Sequence, residues 1–174
     1  MKSLKTLLVL LSLSIPLFAQ TNNDMTFDGE KRIKNLRMLT NGGENAEAYL
    51  SFDNSKLIFQ AKTEGLECDQ IFTMNLDGSD KKLVSTGHGR TTCSYFLPGD
   101  TSIIYASTHV ADHKCPKNPD FSKGYVWKLY DEYELFIASQ DGTNLRQITK
   151  NDSYDAEATV SPKGDKIVFT SLRD

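Results

Sequence analysis

Ser161-Pro162-Lys163-Gly164-Asp165-Lys166-Ile167-Val168-Phe169 is the stretch on which the reading of this chain turns, because it occurs more than once. Ser51-Phe52-Asp53-Asn54-Ser55-Lys56-Leu57-Ile58-Phe59 superposes on it, and Leu97-Pro98-Gly99-Asp100-Thr101-Ser102-Ile103-Ile104-Tyr105 lies between the two. Phe59, Tyr105 and Phe169 then share one repeat position, at separations of 46 and 64. A second marker, Asn75-Leu76-Asp77-Gly78-Ser79, returns 64 residues later as Ser139-Gln140-Asp141-Gly142-Thr143. A third runs through Leu39-Thr40, Leu83-Val84 and Ile148-Thr149. The basic period is about 45, and the second copy carries an insertion over 108–132.

Each copy has the pattern of four strands: one before the Pro/Gly turn, one after it, one before the Asp-Gly turn and one after that. Tyr49–Phe52, Lys56–Phe59, Gln70–Met74, Ile103–Tyr105, Tyr133–Ala138 and Lys166–Thr170 are short β-branched and aromatic runs bounded by turn formers. Pro162 presets the turn φ, and Gly164 takes the left-handed position that follows; Asn54 and Asp100 hold the matching place, as the next most tolerant residues. No helical period after the N-terminal region is sustained for three turns. An all-β chain of four-stranded antiparallel units at this period is expected to be a β-propeller, here incomplete. A β-sandwich is the competing architecture, but independent hairpins would not repeat three markers in one order.

The expected boundaries are a signal peptide over 1–19, a lead segment over 20–34, and a partial propeller over 35–174. Blade one spans about 46–85, blade two about 91–150, and blade three starts near 155. The signal rests on Lys2 and Lys5 ahead of the apolar run Leu7–Phe18, which is too short for a membrane span. Residues 35–40 are expected to form a latch strand completing another blade. Two and a half blades cannot close a ring that needs at least four, so a longer protein is expected, with closure by oligomerisation as the alternative.

Ser161–Phe169 with Thr170-Ser171-Leu172-Arg173-Asp174, and Asn75–Ser79, resemble the repeat of TolB-like, WD-repeat-like bacterial β-propellers. The resemblance covers about 35–174 and implies a periplasmic or secreted binding scaffold. Some members are fused to hydrolases, zinc peptidases among them. The function expected is therefore an exported, non-catalytic scaffold that binds a protein, peptide or envelope polymer through its long loops. The alternative is the N-terminal propeller of a secreted hydrolase or peptidase whose catalytic domain lies beyond residue 174.

The whole chain has 174 residues, 39% of them apolar and 10% aromatic, with formal net charge −3. Without residues 1–19 it keeps 18 basic against 23 acidic residues, net −5, which offers no electrostatic footprint for nucleic acid. No stable membrane span is expected once the signal is removed. The minimal turns fall on one face and the long connections on the other, over 41–46, 61–69, 86–92, 108–132 and 151–155; binding residues gather on such loops. The candidates there are Trp127, Tyr130, Tyr125, His88, Arg90, His109 and His113. The insertion's aromatics are either exposed anchors for a partner or a lid folded back over the blade edge.

Three cysteines in an exported chain imply one disulfide and one free thiol. Cys68 with Cys93 is preferred over Cys93 with Cys115, because Cys93 begins an inner strand beside the loop holding Cys68; pairing with sequence outside this chain and three unpaired buried thiols are the other readings. His109-Val110-Ala111-Asp112-His113 resembles a zincin spacing but has Val110 where the base would stand, so no metal is expected. No nucleophile elbow or phosphate-cradling loop occurs, and neither catalytic residues nor a cofactor are expected. Glu47, Cys93 and Glu157 share one repeat position at the start of inner strands; the carboxylates either ring a channel mouth or cap loop amides.

Overall fold

The computed structural model describes residues 27–174. The signal peptide over 1–19 and the first part of the lead segment lie outside the described residues. The chain divides into two units, 1–38 and 39–174. In the first, a turn closes from Phe27 O to Glu30 N, and the Glu30 carboxylate accepts hydrogen bonds from the amides of Arg32 and Ile33.

The second unit is all-β among the described residues and consists of antiparallel sheets. Strands β1 (Glu44–Leu50), β2 (Lys56–Lys62), β3 (Gln70–Asn75) and β4 (Lys82–Leu83) form one four-stranded sheet in that order. β5 (Thr91–Phe96), β6 (Ser102–Ser107), β7 (Glu134–Ser139) and β8 (Arg146–Gln147) form a second with the same order. β9 (Asp155–Val160) and β10 (Ile167–Ser171) form a pair matching the first two strands of the others. This is the simple meander that the repeat predicts.

The repeat holds at the level of single hydrogen bonds. The Thr91 amide donates to Asp69 O and the Asp155 amide to Tyr133 O, both at 3.0 Å, so each sheet hands on to the next through the same bond. Ser85 Oγ accepts from the Ile71 amide and Thr149 Oγ1 from the Leu135 amide, both at 2.9 Å. Buried Gln70 and Glu134, at one repeat position, accept from the amides of Gly87 and Asn151. These bonds satisfy backbone groups that would otherwise be orphaned where sheets meet.

Every first strand carries the same bulge. Pairing runs Ala46↔Gln60 then Tyr49↔Ile58, Thr92↔Ala106 then Tyr95↔Ile104, and Ala156↔Thr170 then Thr159↔Val168. In each case two residues oppose one, and the residue opposed is Phe59, Tyr105 or Phe169. The first bulged residue has positive φ: Glu47 at 50°, Cys93 at 50° and Glu157 at 58°. A non-glycine residue rarely takes this conformation, so its recurrence at one repeat position marks a built feature of the inner strands. The turn residues behave as expected from sequence, with Asn54, Asp100 and Gly164 at φ 56°, 57° and 72°.

The second sheet is buried on both sides. Against the first sheet it packs Ile103, Tyr105, Phe136 and Ala138 onto Ile58, Ile71 and Val84. Against β9 and β10 it packs Ile104, Ala106, Leu135 and Ile137 around Tyr154, Ala156, Ala158 and Phe169. Two-sided burial explains why β6 and β7 read as continuous apolar runs and not as alternating ones.

The latch strand expected over 35–40 is not formed. A strand exists only through a ladder, and among the described residues no further sheet offers one there. Leu39 nevertheless does part of that work. It packs against Phe59, Phe72 and Met74. A Cβ on Gly78 would lie 3.1 Å from Leu39 O, just as one on Gly142 would lie 2.6 Å from Val84 O. Each Asp-Gly turn thus rests on the backbone of the segment that precedes its sheet.

Gly142→Ala should therefore cost roughly 2 kcal/mol more than Gly99→Ala in urea unfolding. Both glycines have positive φ, 85° and 86°, but a Cβ on Gly99 meets nothing within 4 Å; the backbone term is common to both and only Gly142 adds a clash.

Candidate functional site

The ends of the inner strands and the insertion enclose a cleft of about 420 Å³. It is lined by Asn45, Gln60, Thr91 and Thr92 and by the charged residues Glu44, Lys62, Asp69 and Arg90. The insertion supplies Asn118, Phe121, Tyr125, Trp127, Lys128 and Tyr130, and Tyr133 and Tyr154 also line it. All these residues belong to the long-loop connections or the strand ends beside them.

Repeat arithmetic explains the lining. Glu44, Arg90 and Tyr154 occupy one repeat position, immediately before or at the start of the inner strand, at the separations of 46 and 64 that relate the aromatics. Asp69 and Tyr133 occupy another, 64 apart. Sequence reasoning passed over Glu44, Asp69, Tyr133 and Tyr154 individually, although the alignment of the copies already placed them together. Gln60 and Asn118 carry no such signal.

The insertion folds back and also stays exposed. Tyr130 is buried, and its hydroxyl donates to Lys117 O at 2.9 Å. The Lys128 ammonium lies 4.6 Å from the Tyr130 ring centroid and the Arg90 guanidinium carbon 5.8 Å, on the order of 1 kcal/mol for each cation–π contact. Tyr125 and Trp127 remain 78% and 58% exposed, and Phe121 stacks on Tyr125 at 6.2 Å. The insertion's aromatics thus divide: Tyr130 folds back against the fold, and Tyr125 and Trp127 face solvent.

Of the candidate residues, Trp127, Tyr130, Tyr125 and Arg90 line the cleft, while the three histidines do not. His109 is buried against Phe136, with ring centroids 4.4 Å apart, and its Nδ1 lies 2.8 Å from Ser107 Oγ. Burial pushes its imidazolium down to a pKa of about 4, with further lowering from His113 and His88. His88 and His113 stack on each other at 4.5 Å.

The disulfide corrects the sequence expectation. Cys68 pairs with Cys115, with Cα atoms 5.6 Å apart, and Cys93 is the free thiol. The insertion brings Cys115 over the β2–β3 loop, whereas the bulge turns Cys93 toward Glu47 on the neighbouring inner strand. A cross-link spanning 47 residues is worth about 4 kcal/mol in the chain-entropy picture. Burial, followed by the nearby Glu47 and Glu157 carboxylates and offset in part by a Thr92 hydrogen bond, pushes the Cys93 thiol up to about 12.

Asp69 sits half-buried on the cleft rim. Burial raises its carboxyl above the ordinary range, Arg90 opposes that rise, and Glu44 adds to it. Beyond the cleft, Asp155 is fully buried and accepts from Arg173 Nη2 at 2.5 Å and Asn151 Nδ2 at 2.6 Å. This contact gives the Arg173 of the repeat a structural role: it ties the end of β10 to the start of β9. Among the described residues no group of three or more His, Cys, Asp or Glu side chains could hold a metal ion. No helix among them is long and apolar enough to cross a membrane.

No protein-family model matches the chain, and no curated protein is similar to it in sequence. Among solved structures the chain is similar to the crystal structure of TolB from Acinetobacter baumannii, with 19% identity and a TM-score of 0.49, over 70% of this chain and 25% of that one. The chain thus spans about a quarter of that protein's length.

Two solution measurements check the site's electrostatics. The unfolded chain protonates His109 near the usual 6.5 and the folded chain only near 4, so the stability that the neutral ring supplies is complete above about pH 6.5 and lost as pH falls toward 4. Between pH 7 and pH 5 the wild type should lose about 2 kcal/mol more than His109→Gln in urea unfolding. Native Cys93 should react with iodoacetamide at pH 8 roughly a hundredfold or more slowly than the same thiol in urea, since the thiolate is the nucleophile.

Proposed function

We propose that this chain is part of an exported, non-catalytic β-propeller scaffold whose long-loop face holds a segment of a protein, peptide or envelope polymer in the cleft beneath the insertion. The observation that carries the reading is the cleft itself: a cavity of about 420 Å³ between rigid strand ends, with exposed aromatic rings at its entrance. Large, stiff rings beside satisfied polar groups are the composition of binding hot spots, because they bury much area while losing few rotamers.

The repeat supports the scaffold part of the proposal. Two four-stranded meanders and a matching strand pair, each with a bulged first strand, are units that stack to hide faces they cannot bury alone. The periplasmic or secreted location is supported by the resemblance to TolB-like repeats and by the apolar run over 7–18. The cleft's mixed charge, with Glu44 and Asp69 facing Lys62 and Arg90, suits an extended segment carrying both polar groups and apolar side chains.

The test is a binding screen read by titration calorimetry, using peptides and soluble envelope polymers against the whole chain. A segment that binds should lose roughly tenfold or more in affinity to Trp127→Ala and Tyr125→Ala, with melting temperature unchanged, since both side chains are exposed. Equal affinity for wild type and the double variant would show that the cleft entrance is not where the partner sits.

A further inference from the structure

The insertion crosses the cleft as a strap. Residues 116–129 form neither strand nor helix. At the root of the strap the Gly89 amide donates to His113 O at 2.8 Å, and Cys115 is bonded to Cys68. One side chain gathers these ties. Arg90 Nε lies 3.4 Å from Cys68 Sγ, and its Nη2 lies 3.8 Å from Cys115 Sγ. The same Nη2 donates to Asn118 Oδ1 at 2.7 Å, and the guanidinium covers Tyr130. A single cation therefore touches both sulfurs of the bond and two residues of the cleft lining.

We propose that Cys68–Cys115 is a redox latch on this strap, opened by dithiol reductants, and that Arg90 couples the state of the bond to the roof of the cleft. The proposal concerns regulation of the site, and so rests on the cleft being the binding site. Cys115 is partly exposed and Cys68 is not, so a reductant thiolate attacks Cys115 Sγ. A new S–S bond joins the reductant to Cys115, the Cys68–Cys115 bond breaks, and its electron pair leaves on Cys68 Sγ. The second thiol of the dithiol then displaces Cys115 and closes the reductant's own disulfide. Two electrons pass to the protein, and the two protons of the dithiol end on Cys68 and Cys115.

Arg90 favours this step. A guanidinium 3.4 Å from the departing sulfur stabilises the thiolate, and a leaving thiol of lower pKa leaves faster. Once the bond is broken, the strap keeps Tyr130, the Trp127 hydrogen bond to Tyr154 and a few surface hydrogen bonds, and surface contacts of that kind hold a loop weakly. Arg90 is here a positioning residue, acting through the sulfurs.

The protein carries its own probe, since Trp127 is the single tryptophan and lies on the strap. The whole chain is treated with dithiothreitol at pH 8 without denaturant while thiols are counted by alkylation, and Trp127 emission and amide exchange are followed. As two thiols appear, emission should move to the red and exchange over 116–129 should rise roughly tenfold or more, while β2, β3, β6 and β7 stay protected. Arg90→Gln should be reduced roughly threefold or more slowly, with Arg90→Lys partly restoring the rate. Unmoved emission and exchange after both thiols are free would overturn the latch, and so would equal loss of protection in the sheets, which would make the bond a staple of the whole fold. Reduction of Arg90→Gln at the wild-type rate would overturn the coupling. No partner enters these readouts, so a cleft that binds nothing would be exposed by Trp127→Ala and Tyr125→Ala and not here.

Discussion

A four-stranded sheet of this length cannot bury both of its faces alone, and stacking is how this chain meets that constraint. The second sheet lies between the first sheet and the β9–β10 pair, and its strands β6 and β7 are buried on both faces. Stacking requires each sheet to hand on to the next in one geometry. That geometry is the repeated amide-to-carbonyl bond into Thr91 and Asp155, together with the bulge that bends every first strand around an aromatic residue.

The site is a by-product of the same constraint. The residue that enters each inner strand has to sit beside its counterpart in the neighbouring unit. Glu44, Arg90 and Tyr154 therefore converge, with Asp69 and Tyr133 one connection away. Regular stacking by itself leaves this convergence shallow and open. The insertion of the second unit changes that, because a strap tied at Cys115 and at Arg90 roofs the gap and brings Trp127 and Tyr125 to its entrance. Irregularity in one repeat thus makes a pocket out of what regularity supplies.

Much of the fold was legible in the residues. Phe59, Tyr105 and Phe169 were aligned by sequence, and all three lie opposite a bulge. Asn54, Asp100 and Gly164 were expected in left-handed conformation and adopt it. The site was legible only in part. Arg90, Tyr125, Trp127 and Tyr130 line the cleft, but the histidines were grouped with them only because loops of one face were treated as a single surface. His109 shows why that fails: a polar residue just past a strand can turn inward and bond to Ser107 beneath an aromatic ring.

By itself the sequence determined the class of the fold, the order of strands and the positions of the turns. These depend on local conformational preference and on periodic burial, and both are written into neighbouring residues. Tertiary structure alone decided that Cys68 takes Cys115 and leaves Cys93 free, that the first residue of each bulge turns to positive φ, and that residues 35–40 form no strand while Leu39 still packs. Each of those outcomes depends on which distant group arrives next to the residue, and spacing along the chain does not encode the path of a long insertion through space.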